Sequence, residues 1–327
     1  MKKNFADILM RATMRRSFCA ALTCAAWLSL QVGAKSAPVE MKDASGRIVV
    51  VKDASRIVSI GGAITEILYA LGRSDRIVAV DTTSIYPPQV MGDKPNVGYM
   101  RQLSPEGVLS TRPTLLLAID GAGPKEAIAV LEAAGAPLVT VPDRFDANGI
   151  IEKIRIVADV AGARTAGECL AASIKSDFAA LDELRGKIEK PAKVIFVLSM
   201  AGDRLMVAGH GTAADSIIRL AGGINAITSF EGYKAINDEA VINAAPDAVL
   251  MMQRGQHAAS ADEVFEKPAF KMTPAAGRKA LMSLDGLYLL GFGPRTAAAA
   301  RDVAAGLYPR LATSKLPSEA HPAECRE

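Results

Sequence analysis

Residues 165–189, TAGECLAASIKSDFAALDELRGKIE, form one amphipathic segment near the middle of the chain. Its apolar side chains recur every three or four residues, at Leu170, Ile174, Phe178, Leu181, Leu184 and Ile188. This period predicts a single long helix with one apolar stripe, closed by Pro191. At about 1.5 Å of rise per residue, such a helix is long enough to cross from one lobe of a protein to another.

Short apolar runs alternate with helical segments on both sides of this helix. The predicted strands are Arg56–Ile60, Arg76–Val80, Leu115–Ile119, Pro137–Val141, Lys193–Leu198, Arg204–Ala208 and Val249–Met252. The predicted helices are Ala63–Leu71, Lys125–Ala134, Ile150–Ala161, Asp215–Ala221 and Arg295–Ala312, with a polar helix or loop on the rim at 258–271. The alternation predicts an α/β fold of two Rossmann-like lobes with mainly parallel sheets. We expect an N-terminal lobe at 38–163, an interlobe helix at 164–190 and a C-terminal lobe at 191–327.

One sequence unit occurs twice and supports the two-lobe organisation. Glu106–Pro113 precedes the apolar run 114–119, and Glu239–Pro246 precedes the run 247–252. In both copies a Ser or Asn stands two residues before the Glu, and a short predicted helix leads into a buried strand. A unit repeated at this distance is typical of two similar lobes.

The N-terminus has the features of a secretory signal peptide, predicted at 1–34. Arg15 and Arg16 supply the charge, residues 18–30 the apolar core and Ala34 a small residue for cleavage, while Met14 is an alternative start. The apolar run is shorter than the roughly 20 residues that a membrane span needs. The chain has 38 Lys and Arg against 35 Asp and Glu, and removing the signal leaves 33 against 34. We therefore expect a periplasmic protein without a nucleic-acid surface.

Two of the four cysteines, Cys169 and Cys325, remain after the predicted cleavage. An exported protein meets an oxidising compartment, in which these two thiols can form a disulfide. The alternative is a pair of free thiols that lie too far apart to bond. The sequence leaves both possibilities open.

The first copy of the repeat is preceded by a segment that the second lacks, Val97-Gly98-Tyr99-Met100-Arg101. Two lobes joined by one long helix behind a signal peptide resemble the periplasmic substrate-binding proteins of metal-chelate ABC importers. Within that family, residues 98–101 and the late segment 290–296 (LGFGPRT) resemble the haem-binding branch. The resemblance covers essentially the whole mature chain. It implies a transport protein, not an enzyme, that binds haem in the cleft between its lobes.

The resemblance makes Tyr99 the candidate axial ligand of the haem iron, because phenolate is a ligand that ferric haem accepts. A phenol ordinarily has a pKa of about 10, and both the ferric ion and a nearby cation favour its anion. Arg101 is predicted to be that cation. Arg254 and Arg295 are candidates for the haem propionates, since guanidinium groups bind carboxylates bidentately; a solvated Arg254 and a structural Arg295 are the alternatives. His210 is predicted to line the pocket or ligate the iron, or else to be a polar loop residue.

The same resemblance implies partners for the transported haem. These are an inner-membrane ABC permease dimer, its separate ATPase subunit and an outer-membrane haem receptor system. The chain has no GxxxxGK[ST] motif, so ATP hydrolysis must belong to another polypeptide. Glu106 and Glu239 are predicted to dock onto the two permease subunits, one from each lobe. The alternative is that each Glu only favours the N-terminus of its helix.

Two other functions remain open. A carrier of this kind could transport another metal chelate, such as a siderophore or a corrinoid. The sequence Gly209–Ala214, GHGTAA, also matches the GxGxxA pattern of nucleotide-dependent oxidoreductases, with Glu231 about twenty residues later. The alternative for that motif is a tight turn with close helix packing.

Overall fold

The computed structural model describes residues 38–201, 204–253, 259–311, 316–317 and 325. The predicted signal peptide and Arg254 lie outside the described residues. None of the helices in the described part is long and apolar enough to span a membrane.

The first lobe contains a hairpin and a four-stranded parallel sheet. The hairpin strands β1 (Val39–Lys42) and β2 (Ile48–Val51) pair antiparallel. The sheet strands are β3 (Ile57–Ile60), β4 (Ile77–Val80), β5 (Leu115–Ile119) and β6 (Leu138–Val141), in the order β4–β3–β5–β6. Every residue of β3 and β5 is buried, and strands buried on both faces give the continuous apolar runs seen in the sequence. The four sheet strands confirm the predicted ones to within one residue at each end.

A 3₁₀ turn at Ser74–Arg76 precedes β4. Five helices of the described chain cover the first-lobe sheet on both faces. They are α1 (Gly62–Ala70), α2 (Val90–Asp93), α3 (Pro105–Ser110), α4 (Lys125–Ala133) and α5 (Ala147–Val160). Helix α5 begins three residues before the predicted start. The reason is a side-chain cap, because the Asp146 carboxylate accepts a hydrogen bond of 2.7 Å from the backbone N–H of Gly149.

The long helix α6 spans Arg164–Arg185. The predicted apolar stripe is confirmed, since Ile174, Phe178 and Leu181 are buried in the main core. The helix ends earlier than the predicted residue 189, because the chain leaves the helical path in a turn after Gly186. Ile188 therefore packs outside the helix, where its side chain occupies the space beside Gly222.

The second lobe is built on a mixed sheet. Its strands are β7 (Lys193–Ala201), β8 (Arg204–Ala208), β9 (Ile224–Asn225), β10 (Tyr233–Ile236), β11 (Ala248–Gln253) and β12 (Leu281–Asp285). The order is β10–β8–β7–β11–β12, with β9 beside β7. Strands β7, β9, β11 and β12 are parallel, whereas β8 runs antiparallel to both of its neighbours, β7 and β10. The prediction of a mainly parallel sheet misses β8 because only two residues separate it from β7, and so short a connection joins antiparallel strands.

The second-lobe helices include several short ones that the sequence pattern did not indicate. The helices are α7 (Ala213–Leu220), α8 (Asp238–Ala244), α9 (Ala261–Phe265), α10 (Pro268–Lys271), α11 (Pro274–Gly277), α12 (Gly286–Leu290) and α13 (Thr296–Leu307). The prediction of a polar rim segment at 258–271 is wrong. Val264, Phe265, Ala269 and Phe270 are buried in a core cluster of the second lobe.

One hydrophobic core extends through both lobes. It joins residues of β3 and β5 to residues of α5, α6, α7 and α13. A disulfide between Cys169 in α6 and Cys325, with Cα atoms 5.4 Å apart, fastens the C-terminal segment to the long helix. The lobes are therefore connected by shared packing as well as by the helix that links them in sequence.

Candidate functional site

The loop at residues 97–104, called the Tyr99 loop below, lies at the carboxyl edge of the first-lobe sheet. Backbone hydrogen bonds hold it on both sides. The N–H of Thr82 donates to the Gly98 carbonyl, and the N–H of Gly123 donates to the Met100 carbonyl, both at 2.9 Å. Gly98 has a φ of 94°, a conformation that a side chain would strain. The loop after β4 and the loop after β5 thus fix the position of Tyr99. Ligands of α/β sheets gather at this edge.

The side chains of Tyr99 and Arg101 both point to solvent and are uncommitted. Tyr99 is 41% exposed, and Arg101 is also exposed. Within the part of the chain that the structure describes, no hydrogen bond reaches the Tyr99 hydroxyl and no ion pair holds Arg101. The phenol and the guanidinium are therefore both available to a ligand.

Three large apolar side chains are exposed in the segment between β4 and the Tyr99 loop. Ile85, Tyr86 and Met91 lie in the segment that follows β4 and are exposed, although large apolar side chains are usually buried. Apolar and aromatic walls with a few polar groups are typical of small-molecule sites. These three side chains form an apolar rim in the segment that leads to the Tyr99 loop.

Tyr233 is a second-lobe residue that the sequence analysis missed. Burial raises the pKa of the Tyr233 hydroxyl, and the Ala214 backbone, the Thr212 side chain and the Arg101 guanidinium each act in the opposite direction. The side chains of Arg101 and Tyr233 are therefore close enough to interact electrostatically. The available sequence signal was a single aromatic residue in a short, largely exposed edge strand, which periodicity alone does not single out.

The two lobes meet at several places, one of which is beside Gly62 of the first lobe. Helix α12 follows β12 of the second lobe, and its Leu287 side chain fills the space beside Gly62 of the first lobe. A Cβ atom added to Gly62 would lie 2.6 Å from Leu287 Cδ1. Gly62 therefore permits close contact between the lobes.

Arg295 is engaged with the first lobe. Its guanidinium forms a 2.9 Å salt bridge with Glu66, and its backbone N–H donates to the same carboxylate at 3.1 Å. Burial raises the pKa of Glu66, and the hydrogen bonds and charge of Arg295 counter the rise. This geometry favours the structural role of Arg295 over a contact with a propionate.

His210 lines a cavity of the second lobe. The cavity has a volume of about 480 Å³, and its walls include Arg185, Ile188 and Arg219, all from α6 or later in the chain. Tyr99 is not among its lining residues. The haem contact of His210 and the propionate role of Arg254 both stay predictions.

The GHGTAA motif is a tight turn with close packing. Gly211 has a φ of 74°, and a Cβ atom on Gly209 would collide with the Phe230 carbonyl. The preceding strand β8 runs antiparallel to β7. The dinucleotide-binding motif requires a parallel strand–helix–strand unit, so the geometry does not match it.

Glu106 and Glu239 occupy equivalent places in the two lobes. Each is exposed and is the second residue of its helix, α3 or α8. Ser104 and Asn237 cap these helices, and each side chain accepts a hydrogen bond from a backbone N–H three residues on. Each helix leads into a buried parallel strand, β5 or β11. The repeat read from the sequence is thus a repeated structural unit.

The chain belongs to the periplasmic binding protein family, whose sequence model matches residues 57–286. It is therefore a substrate-binding protein of a transport system, not an enzyme. Such proteins work with the permease and ATPase components of an ABC transporter. The match spans β3 to the start of α12 and so includes both lobes.

Two solved structures are particularly similar. The periplasmic heme-binding protein RhuT from Roseiflexus sp. RS-1, in apo form, is 40% identical, with a TM-score of 0.74 over 79% of this chain and 99% of that one. The periplasmic heme-binding protein BhuT, in complex with two hemes, is 39% identical, with a TM-score of 0.74 over 78% of this chain and 98% of that one. Both share the two-lobed fold.

Curated relatives are more distant. An ABC transporter substrate-binding lipoprotein of Bacillus subtilis, YvrC, is 28% identical over 276 residues, which are 83% of this chain and 86% of the relative. A vitamin B12-binding protein of Vibrio cholerae is 23% identical over 197 residues, 60% of this chain and 70% of the relative.

Proposed function

We propose that this protein binds haem in the cleft between its lobes, with Tyr99 as an axial ligand of the ferric iron. The observation that carries the proposal is the placement of Tyr99. It is an exposed, uncommitted phenol on a fixed loop at the carboxyl edge of the first-lobe sheet. A hard ferric ion accepts phenolate as a ligand.

The surroundings of Tyr99 fit the rest of a haem molecule. Ile85, Tyr86 and Met91 offer apolar surface to the porphyrin face. Arg101 offers a cation that stabilises the phenolate or pairs with a propionate. Tyr233 supplies an aromatic ring from the opposite lobe, so the ligand is enclosed from both sides.

The similarity to RhuT and BhuT supports haem as the ligand. Both are named heme-binding proteins, both are about two-fifths identical to this chain, and this chain aligns with nearly the whole of each. The vitamin B12-binding relatives are less similar and match over a shorter stretch. Haem is therefore preferred over other chelates.

Delivery to an inner-membrane ABC importer follows from this function. The protein is exported to the periplasm by its N-terminal signal, receives haem from an outer-membrane receptor system and docks onto the permease dimer. Glu106 and Glu239 present the same charge at equivalent places in the two lobes, as a two-fold symmetric partner requires. Exposed charges of this kind set encounter rate and register more than affinity.

Titration of the purified mature protein with hemin tests the proposal. We expect saturable binding and a high-spin ferric spectrum with a phenolate charge-transfer band. Cobalamin serves as the competing ligand in a parallel titration. Tight cobalamin binding without any shift of the hemin Soret band would contradict haem as the ligand and support a corrinoid carrier instead.

A further inference from the structure

The segment 286–295 of the second lobe forms a joint with the first lobe, built around Arg295. The Arg295 guanidinium carbon lies 3.5 Å from the centre of the Tyr86 ring, an arrangement in which a cation stacks on an aromatic face. The Glu66 carboxylate, 6% exposed, holds the same guanidinium from its edge. Arg295 thus connects helix α1 to the loop that follows β4.

A second set of contacts fixes the backbone before Arg295. Phe292 is fully buried, and its ring centre lies 5.1 Å from that of Phe145 in the first lobe. Its carbonyl accepts a 3.2 Å hydrogen bond from the buried ammonium of Lys153, which also pairs with Asp143 at 2.8 Å. Phe292 has a φ of 48°, a strained conformation for a residue with a side chain. Such strain persists only where the surroundings determine the conformation.

The joint leads directly to the Tyr99 loop. Tyr86 belongs to the same short loop as Thr82, and the Thr82 N–H donates to the Gly98 carbonyl, next to Tyr99. A guanidinium stacked on Tyr86 therefore restrains the loop after β4, to which the Tyr99 loop is hydrogen-bonded.

We propose that Arg295 is a positioning residue for the ligand site: clamped by Glu66 and stacked on Tyr86, it holds the loop after β4 in place and so preorganises Tyr99. Arg295 acts through Tyr86 and does not touch the ligand. The expected effect of Arg295 on the rate of ligand dissociation rests on the proposed function. Preorganisation of a site strengthens binding by reducing what must be ordered when the ligand arrives.

The test combines hydrogen exchange with binding kinetics in Arg295→Met. In the ligand-free protein, we expect faster exchange of the peptide that contains the Thr82 amide. With hemin, dissociation should accelerate roughly tenfold, the loss expected from one or two disordered side chains. The spectrum at saturation should stay that of the wild type, because the iron ligand is intact.

Three further variants serve as controls. Arg155→Met removes an exposed arginine that pairs with Glu168 on α6, away from the cleft, and should change neither readout. Glu66→Gln keeps a hydrogen-bonding partner for Arg295 and the stack on Tyr86, so it should remain close to the wild type. If Arg295→Met does not fold, Arg295→Lys retains a charge beside Glu66 but loses the planar stack, and the Thr82 amide should still exchange faster.

Wild-type exchange and wild-type dissociation in a folded Arg295 variant would overturn the proposal. A loss of affinity for hemin but not for its dimethyl ester would also overturn it, because Arg295 would then be a propionate contact. If the wild-type protein fails to bind hemin, the proposed function fails. The exchange measurement on the ligand-free protein still decides whether Arg295 positions the Tyr99 loop.

Discussion

At the scale of single residues, the site depends on side chains left without partners. Tyr99 and Arg101 are exposed on a loop whose backbone carbonyls at Gly98, Tyr99 and Met100 accept hydrogen bonds, so the loop is fixed while these side chains stay available. Sequence patterns could indicate this pair, because both residues occur in one short segment. They could not indicate Tyr233 or the Glu66–Arg295 pair, since these depend on how two distant segments meet.

Tyr233 should contribute to binding through its ring. Replacing it by Ala should weaken hemin binding about threefold to tenfold, the usual worth of one aromatic contact. Tyr233→Phe is the matched control and should stay near the wild type, because the hydroxyl faces Thr212 and Ala214 of its own lobe. Equal dissociation constants for wild type and Tyr233→Ala, measured by Soret titration, would remove Tyr233 from the site.

At the scale of helices and strands, the sequence pattern predicted the buried apolar strands correctly but failed for elements at the edge of the second lobe. Strand β5 is wholly buried and was predicted residue for residue. Strand β10 pairs only with β8 and is largely exposed, so it lacks the apolar pattern of a core strand. The 258–271 segment was misread because its four buried side chains are spread among charged residues. A local sequence pattern therefore indicates burial only for elements that are buried along their whole length.

The contact between α1 and the start of α13 should make stability depend on pH through Glu66. Its native pKa is raised, so the native state binds the proton more tightly than the unfolded state. Stability from this group is present at low pH and is lost as pH rises from about 4.5 through the native value. Glu66→Gln should match the wild type at low pH and become the more stable protein above that window.

Denaturant unfolding of both proteins between pH 4 and pH 8 measures this difference. Each unit by which the native pKa exceeds the ordinary value adds about 1.4 kcal/mol to the advantage of the mutant. Arg295 is 27% exposed on its side chain and keeps some solvation when the carboxylate is removed. A constant difference across the range would mean that Glu66 does not titrate as inferred.

At the scale of the whole molecule, the two lobes form one body with a repeated surface. The shared core and the joint at 286–295 connect them, and the disulfide ties Cys325 to α6. Glu106 and Glu239 stand at the same position of equivalent helices, and this equivalence was predictable because the repeat is visible in the sequence. The lobe-to-lobe contacts were not predictable, because they involve residues 139 to 229 positions apart.

The repeated glutamates should matter for transfer and not for capture. The double change Glu106→Ala with Glu239→Ala should leave hemin affinity unchanged. It should slow hemin transfer to the reconstituted transporter and lower the stimulated ATPase rate, since exposed charges set encounter and register. The exposed residues Glu126 and Glu183 provide a control pair of equal charge. Equal transfer rates for both double mutants would leave the repeat a structural feature only.

Hemin binding by Tyr99→Phe tests most directly whether Tyr99 ligates the iron. Tyr86→Phe, from the apolar rim, is the matched control. If Tyr99 ligates the iron, Tyr99→Phe should lose the phenolate charge-transfer band and bind hemin on the order of 100-fold more weakly, about 2.7 kcal/mol. Tyr86→Phe should retain the band and the affinity, because its ring still stacks on Arg295. A Tyr99→Phe protein with the wild-type spectrum and affinity would contradict the assignment of Tyr99 as the iron ligand.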